Sequence, residues 1–410
     1  MAIKSGELIH VGNQVLVDRA QTAGPGQLNV PTEKIYELGN YQSVATIRDI
    51  PDLSFSLDSL DVSAEIESML LGKDFAAMAD GTELLMANVL PLDVASQFKA
   101  GRTAASPFDV VASVAIPYLV CDSIAYNFGV AANSHQVIGL KGDSVFYASA
   151  SAWVQNAVGT ATASQTVLLV NTALPYNGDT VNGVRYALGV SLKSGKRLAL
   201  GTDYTESATG AGPAKTSTIT VLAPVPVTDS IRIIYQSDVV ASYPQASHAV
   251  ASATRPAAIK GRDIEIKIGG RLVTDRWSSV QTVTCDWKVT LDKNEEFGNH
   301  QLVSQDFDVP AVTGAIDIKP RDVAELLKRV RQIANIATTT EVVGPTTSQP
   351  LTLEIILHSP ETGAILKTLW VPDARFTLPG FSATANTKVN TTFNYESDSG
   401  VLAVYKGAKP

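Results

Sequence analysis

Histidine and cysteine are the side chains in this sequence best suited to bind a metal or to act as a base or nucleophile. The chain contains His10, His135, His248, His300, His358, Cys121 and Cys285. The histidines are scattered without metal-ligand spacing, and the nucleophile motif Gly-x-Ser-x-Gly does not occur. The sequence therefore predicts a non-enzymatic protein without catalytic, cofactor-binding or metal-binding residues. Two cysteines cannot form a disulfide framework, so we expect both thiols to be reduced.

Two further groups resemble sites, an acidic cluster and a glycine-rich stretch. Asp52, Asp58 and Asp61 do not have the spacing of a calcium loop, and Asp61 is well placed to cap a following helix. Residues 210–217, GAGPAKTS, have Ala214 where a phosphate loop needs a glycine before its lysine. We interpret the cluster as turn and capping residues rather than a cation site, and the stretch as a hairpin loop.

The elements that position these residues come from an internal repeat. Residues 37–58 and 296–317 align without a gap. Their identical pairs are Glu37/Glu296, Gly39/Gly298, Asn40/Asn299, Gln42/Gln301, Val44/Val303, Asp49/Asp308, Pro51/Pro310 and Asp58/Asp317. With a two-residue shift the match continues upstream over about sixty residues in total, which indicates a tandem duplication.

Each repeat continues into an amphipathic pattern that predicts one flanking helix, near residues 62–70 and 323–330. Between the repeats, short alternating runs and the hairpin-type turn Asn177-Gly178 predict a small β-sandwich. The expected fold is mainly β, with two tandem sandwich or barrel domains and a β module between them. The predicted boundaries are 1–157, 158–250 (module and connector) and 251–410.

The charge composition of the sequence restricts the functions that the protein can have. Among 410 residues, 32 Lys and Arg stand against 40 Asp and Glu, a formal net charge of −8. A protein that holds DNA tightly needs clustered basic residues, so this composition argues against such binding but allows DNA to slide past. The N-terminus does not have the pattern of a signal peptide, and no apolar stretch approaches about 20 residues. We therefore expect synthesis in the cytoplasm and no membrane insertion.

The repeated residues resemble those of bacteriophage tail tube proteins. The resemblance rests on runs 17–21, 36–40 and 48–51, which recur at 275–276, 296–299 and 308–310, and on 372–376 and 393–395. It covers both repeats and leaves 158–250 outside. It implies a tail tube domain in each repeat, a β-sandwich with a flanking helix and long hairpins that join into a barrel. The middle segment is similar to immunoglobulin-like modules displayed outside some tails.

The resemblance implies a structural subunit that stacks in rings to form the channel for DNA ejection. Family members with one domain form hexameric rings, so two domains per chain imply three chains in a pseudo-hexameric ring. The implied partners are other copies of the chain, the tape measure, tail tip and tail terminator proteins, and double-stranded DNA passing without specific binding. The implied location is the virion tail. The alternative is a tail-tip hub, a tail terminator or a fibre-like binding protein.

Two sets of residues are candidates for the functional surface. Four aspartates on the expected hairpin strands are candidates to face the channel: Asp49, Asp52, Asp306 and Asp308. Turn and strand-boundary residues are expected to shape the hairpins: Gly39, Asn40, Pro51, Gly298, Asn299 and Pro310. These strands hold one arginine and no lysine, which predicts an acidic channel wall.

Overall fold

The computed structural model describes residues 4–11, 14–16, 20–25, 28–36, 43, 45–48, 51–60, 63–87, 89–99, 110–148, 151–169, 186–209, 216–237, 259–272, 280–294, 304–319, 349–377 and 391–410. In this part the chain is mainly β, as predicted, and its strands form several sheets. None of the described helices is long and apolar enough to cross a membrane.

The described residues of the first repeat form eleven strands and one short α-helix. They are β1 (Lys4–Val11), β2 (Gln14–Leu16), β3 (Ala20–Pro25), β4 (Thr32–Ile35), β5 (Ala45–Arg48), β6 (Leu53–Ser59), α1 (Glu65–Leu70), β7 (Glu83–Leu85), β8 (Leu92–Lys99), β9 (Val110–Gly129), β10 (His135–Gly142) and β11 (Phe146–Ala148). The period-two pattern decides their orientation. On β6, Leu53, Phe55 and Leu57 are buried, while Ser54 and Ser56 are exposed.

These strands form two layers around a core. In the front layer, β3, β6, β10 and the second half of β9 pair in that order. In the rear layer, β2, β1, β8, the first half of β9 and β11 pair in that order. Strand β9 changes layers at Tyr118, whose φ of 56° is in the left-handed region. The Tyr118 amide donates to the Asp93 carboxylate over 3.0 Å, which stabilises this bend.

Ten strands are described in the second repeat. They are β18 (Ile264–Ile268), β19 (Arg271–Leu272), β20 (Val280–Lys288), β21 (Leu291–Asn294), β22 (Ser304–Phe307), β23 (Ala311–Ile318), β24 (Leu351–His358), β25 (Ile365–Phe376), β26 (Thr391–Ser397) and β27 (Ala403–Lys406). Every strand pairing described within the first repeat has a counterpart in the second. For example, β6 lies between β3 and β10, and β23 lies between β20 and β26.

The correspondence extends to register and irregularities. Strands β4 and β21 begin 259 positions apart, as do β8 and β24. Strand β3 has a register shift between Ala20 and Thr22, and β20 has one between Val280 and Thr282. The extra residue is a glutamine in both strands. Because a bulge re-aims a strand, its repetition shows that the two repeats share their local geometry as well as their strand order.

The two repeats form one body. The second half of β9 pairs with β20, and β7 pairs with β27. The front layer therefore continues across the junction as β3-β6-β10-β9-β20-β23-β26-β25. A single hydrophobic cluster contains Phe55 and Tyr126 from the first repeat together with Trp287 and Phe393 from the second.

A buried ion pair also crosses this junction. Glu67 of α1 and Lys367 of β25 are in contact, with side chains 0% and 1% exposed. The Tyr126 hydroxyl donates to Glu67 over 2.6 Å, and the Gln136 amide donates to the same carboxylate over 3.1 Å. Lys367 also donates to the Ser63 carbonyl over 3.2 Å. These hydrogen bonds compensate part of the loss of hydration of the two charges.

The middle module folds around its own core. Its strands are β12 (Ser151–Val158), β13 (Gln165–Leu169), β14 (Ala187–Leu192), β15 (Tyr204–Thr209), β16 (Thr216–Val221) and β17 (Ser230–Ser237). They form two three-stranded antiparallel sheets, β12-β17-β14 and β13-β16-β15. Residues from both sheets, including Leu169, Ile219 and Tyr235, share one hydrophobic cluster. Strand β12 belongs to this module, although the predicted boundary follows residue 157.

The helices differ in detail from the expectation. Helix α1 is shorter than the predicted 62–70, and its N-cap is Ala64, which makes no side-chain capping bond. Asp61, the expected cap, lies outside the described residues. The same holds for the second predicted helix, 323–330, and for most of the loop 210–217.

Candidate functional site

One face of the continuous front layer packs on the core. On the opposite face, no apolar packing from the described chain covers the sheet. We call the outward residues of β6, β10, β9, β20, β23 and β26 the open face. They are Ser54, Ser56, Asp58, His135, Val137, Gly139, Lys141, Ser123, Ala125, Asn127, Gly129, Thr282, Thr284, Asp286, Lys288, Ala311, Thr313, Ala315, Asp317, Thr392, Asn394 and Glu396. Most of these side chains are small, hydroxylated or amidic, and large apolar side chains are almost absent.

The strand register sets these residues in rows that cross both repeats. In one row Asp58 faces Val137, and Val137 faces Ala125. The row continues through Asp286 and Thr313 and reaches Glu396. Strands in a sheet lie about 4.8 Å apart, so this row spans roughly 24 Å of one surface.

The charges of the open face favour carboxylates. It contains four acidic residues, Asp58, Asp286, Asp317 and Glu396, against two lysines. Burial raises the pKa of Asp286 from its ordinary value. Asp317 accepts hydrogen bonds from Thr282 over 2.5 Å and from Thr392 over 2.6 Å.

The counterpart of Asp317 in the first repeat is Asp58, and it lies 3.1 Å from a ring nitrogen of His135. These two acids occupy equivalent positions in register with Thr22 and Thr282. The sequence carried a signal for this pair, because Asp58 and Asp317 are identical in the repeat. It carried none for Asp286 or Glu396, since only the register places them in the same row.

Three of the four predicted channel-facing residues, Asp52, Asp306 and Asp308, belong to the described part of the chain, and none of them is on the open face. Asp52 forms an isolated bridge with Asn29 just before β6, and Asp306 is exposed on β22. Asp308 is exposed after β22, where its carboxylate accepts from the Val309 amide over 2.7 Å. Pro51 and Pro310 are half-buried and lie before β6 and β23. Asp49, Gly39, Asn40, Gly298 and Asn299 lie outside the described residues.

The hairpins β4–β5 and β21–β22 are separate two-stranded sheets in equivalent positions. Their charges balance over the described strands: Glu33, Asp292 and Asp306 against Lys34, Arg48 and Lys293. Exposed apolar side chains also lie on them or beside them, with Tyr36 63% and Val309 75% exposed. Leu291 of β21 also packs against the main hydrophobic core.

Within the described part of the chain, the side chains that could act in catalysis or bind a metal do not lie close together. The described residues contain no cluster of His, Cys, Asp and Glu that could hold a metal. Cys121 and Cys285 are buried and free. Burial raises the pKa of the Cys285 thiol to about 12, and it raises the pKa of Cys121 as well.

The junction between the repeats shows how this sheet accepts another strand. Strand β20 is paired along both edges, with β23 on one side and β9 on the other. Its counterpart β3 pairs with β6 on one side. Along its other edge the described chain supplies no strand.

The sequence matches no protein-family model, and no curated protein matches it.

Proposed function

We propose that this protein is a structural, non-enzymatic subunit that assembles with copies of itself into closed rings stacked as a tube, the tail tube of a long-tailed bacteriophage. Its two tail-tube-type domains would line the channel for DNA ejection, and its immunoglobulin-like module would lie outside. The proposal joins the sequence resemblance to the geometry of the front layer.

The pairing of β9 with β20 carries the proposal. It joins different edges of two equivalent repeats, so it is a heterologous contact. The same contact, made between the second repeat of one chain and β3 of the next, would extend the front layer without interruption. Heterologous contacts repeated by one rotation give a closed ring or a helical filament. Closure also removes exposed strand edges, which otherwise promote aggregation.

The number of chains follows from the resemblance. Single-domain tail tube proteins form hexameric rings, and each chain here supplies two domains. Three chains would therefore make a pseudo-hexameric ring, with one junction inside each chain and one between each pair of chains.

The open face would form the channel wall. Its small hydroxyl, amide and methyl groups give a smooth surface, and four carboxylates against two lysines give it a net negative charge. Double-stranded DNA carries one charge per about 1.7 Å, so a wall of this sign repels it and lets it slide. The exposed hairpins would contact the next ring, and the tape measure, tail tip and tail terminator proteins would bind at the inside or the ends.

The test is assembly of the purified full-length chain, followed by electron microscopy and by mass measurement of the particles. We expect tubes built from rings of three chains. Six chains per ring, or a protein that remains monomeric at high concentration, would contradict the proposal. Rings that never stack into tubes would favour the alternative, a tail-tip hub or terminator.

A variant can locate the contact. Gly24 is in register with Ser56, so Gly24→Lys places a long charged side chain on the open face of strand β3, where no heavy atom of the described chain lies within 4 Å of the new Cβ. The fold should therefore persist, while a lysine on the edge strand opposes pairing with the next chain and hinders ring closure. Thr205→Lys, on an exposed strand position of the middle module, is the matched control and should assemble normally. Normal tubes from Gly24→Lys would show that β3 is not the contact edge.

A further inference from the structure

The middle module is bound to the body through a buried interface. Leu188 and Ile234 of the module form a hydrophobic cluster with Ala95 and Ala115 of the body, and Phe146 packs against it. The approach is close at one point: a Cβ on Gly189 would lie 2.6 Å from a carbon of Pro117, so only glycine fits there. A loosely tethered module would not show this complementarity.

Two arginines of the module face two aspartates of the body in this interface. Arg197 donates to Asp143 over 2.6 Å, with side chains 7% and 2% exposed. Arg232 lies 3.9 Å from Asp93, an ion pair too long for a hydrogen bond, with side chains 7% and 4% exposed. Charges this deeply buried are stable only when both partners are in place, so the pairs favour one fixed orientation of the module.

The module also binds the residue at which β9 changes layers. The Tyr118 hydroxyl donates to the Gly195 carbonyl over 2.6 Å, and the Arg197 guanidinium lies 5.4 Å from the centre of the Tyr118 ring. Burial raises the pKa of the Tyr118 hydroxyl, in keeping with its role as a donor. The bend of β9 is thus held from both sides, by Asp93 of the body and by the module.

The same contacts flank strand β11. Asp143, the partner of Arg197, lies three residues before this strand, and Phe146 is its first residue. The counterpart of β11 in the second repeat is β27, which is paired with β25 on one side and with β7 on the other. Strand β11 pairs with β9, and the described chain supplies no strand equivalent to β7 beside it. Its central residue, Tyr147, is 70% exposed.

We propose that the module is an assembly brace, which holds β11 in position to receive a strand from a second copy of this chain. The contact would reproduce, at the equivalent edge of β11, the pairing of β7 with β27. This inference rests on the proposed function, and it gives the module a role in wall formation. A three-residue strand has few hydrogen bonds of its own, and the module supplies the contacts that keep it extended.

The test compares Arg197→Ala with Lys196→Ala. Lys196 is the adjacent residue and pairs with Asp203 inside the module, away from the body. For Arg197→Ala we expect folded protein in which the buried Asp143 keeps its charge without its arginine, so that the module docks less tightly. The amides of residues 146–148 should then exchange hydrogen faster, and assembly should be slowed roughly tenfold or more. Lys196→Ala should match the unmodified chain. Arg197→Lys keeps a cation opposite Asp143 and should restore part of the assembly rate.

The outcomes separate the two proposals. If the unmodified chain forms no rings, both the proposed function and the proposed role of the module as an assembly brace are contradicted. If it assembles and Arg197→Ala assembles at the same rate with faster exchange in β11, only the brace is overturned. If Arg197→Ala does not fold, Leu188→Ala loosens the same interface without a buried charge. Normal assembly of Leu188→Ala with faster exchange in β11 overturns the brace, and slowed assembly supports it.

Discussion

Replacing Lys367 by methionine tests whether a buried charge pair holds the two repeats together. Methionine keeps most of the apolar stem but removes the ammonium group. Glu67, 0% exposed, would then keep a carboxylate with only the neutral donors Tyr126 and Gln136. Breaking a buried pair in this way costs about 3–5 kcal/mol.

The assay is urea unfolding of the unassembled chain, followed by tryptophan fluorescence, because Trp287 lies in the shared core. With an m-value of about 3 kcal/mol/M, the loss lowers the urea midpoint by roughly 1–1.7 M. The double variant Glu67→Gln/Lys367→Met should recover most of this loss. It removes both charges, and the glutamine oxygen still accepts from Tyr126 and Gln136.

The exposed pair of Arg375 and Asp398 provides the control, since removing a charge there leaves its partner in water. We expect Arg375→Met to leave the midpoint unchanged. A loss of less than about 1 kcal/mol in Lys367→Met would refute the reasoning, because it is far below the penalty for an unpaired buried charge. A double variant as unstable as the single one would refute it too, since packing rather than charge would then be responsible.

Other predictions concern the thiols and the open face. Cys121 and Cys285 should not react with a thiol reagent at pH 8 until the chain unfolds. A pKa of about 12 lowers the thiolate fraction of Cys285 roughly a thousandfold. Rapid labelling of the native protein would contradict this prediction. Glu396→Lys together with Thr313→Lys, neighbours on the open face, should leave tubes intact but slow DNA release, more at low salt than at high salt. Asp306→Lys tests the hairpin in place of the open face. If Asp306→Lys slows DNA release more than the open-face variant does, the hairpin and not the open face lies at the channel.

The sequence by itself determined the class of structure and its internal repetition. Period-two alternation of apolar and polar residues is a local property, so it predicted strands throughout. The repeated Pro51 and Pro310 were located because strand boundaries require particular residue types. The repeat also gave a valid alignment for β4, β5 and β6, whose counterparts in the second repeat begin 259, 259 and 258 positions later.

Only the tertiary structure decided which side chains share a surface. The sequence placed the candidate acids on hairpin strands, whereas the open face collects Asp286 and Glu396 from strands far apart in the chain. Their shared row depends on register across several strands, and that is a non-local property. No local pattern distinguishes a lysine that will pair with a glutamate 300 residues away from one that will face water.

The same limit applies to the docking of the middle module. Arg232 lies in an alternating strand pattern and Arg197 lies between two strands, and neither position indicates burial by itself. Their burial against Asp143 and Asp93 arises only when the module docks. Local side-chain chemistry fixes strands and turns, while the surface left open for a partner is fixed by which faces the folded chain has already covered.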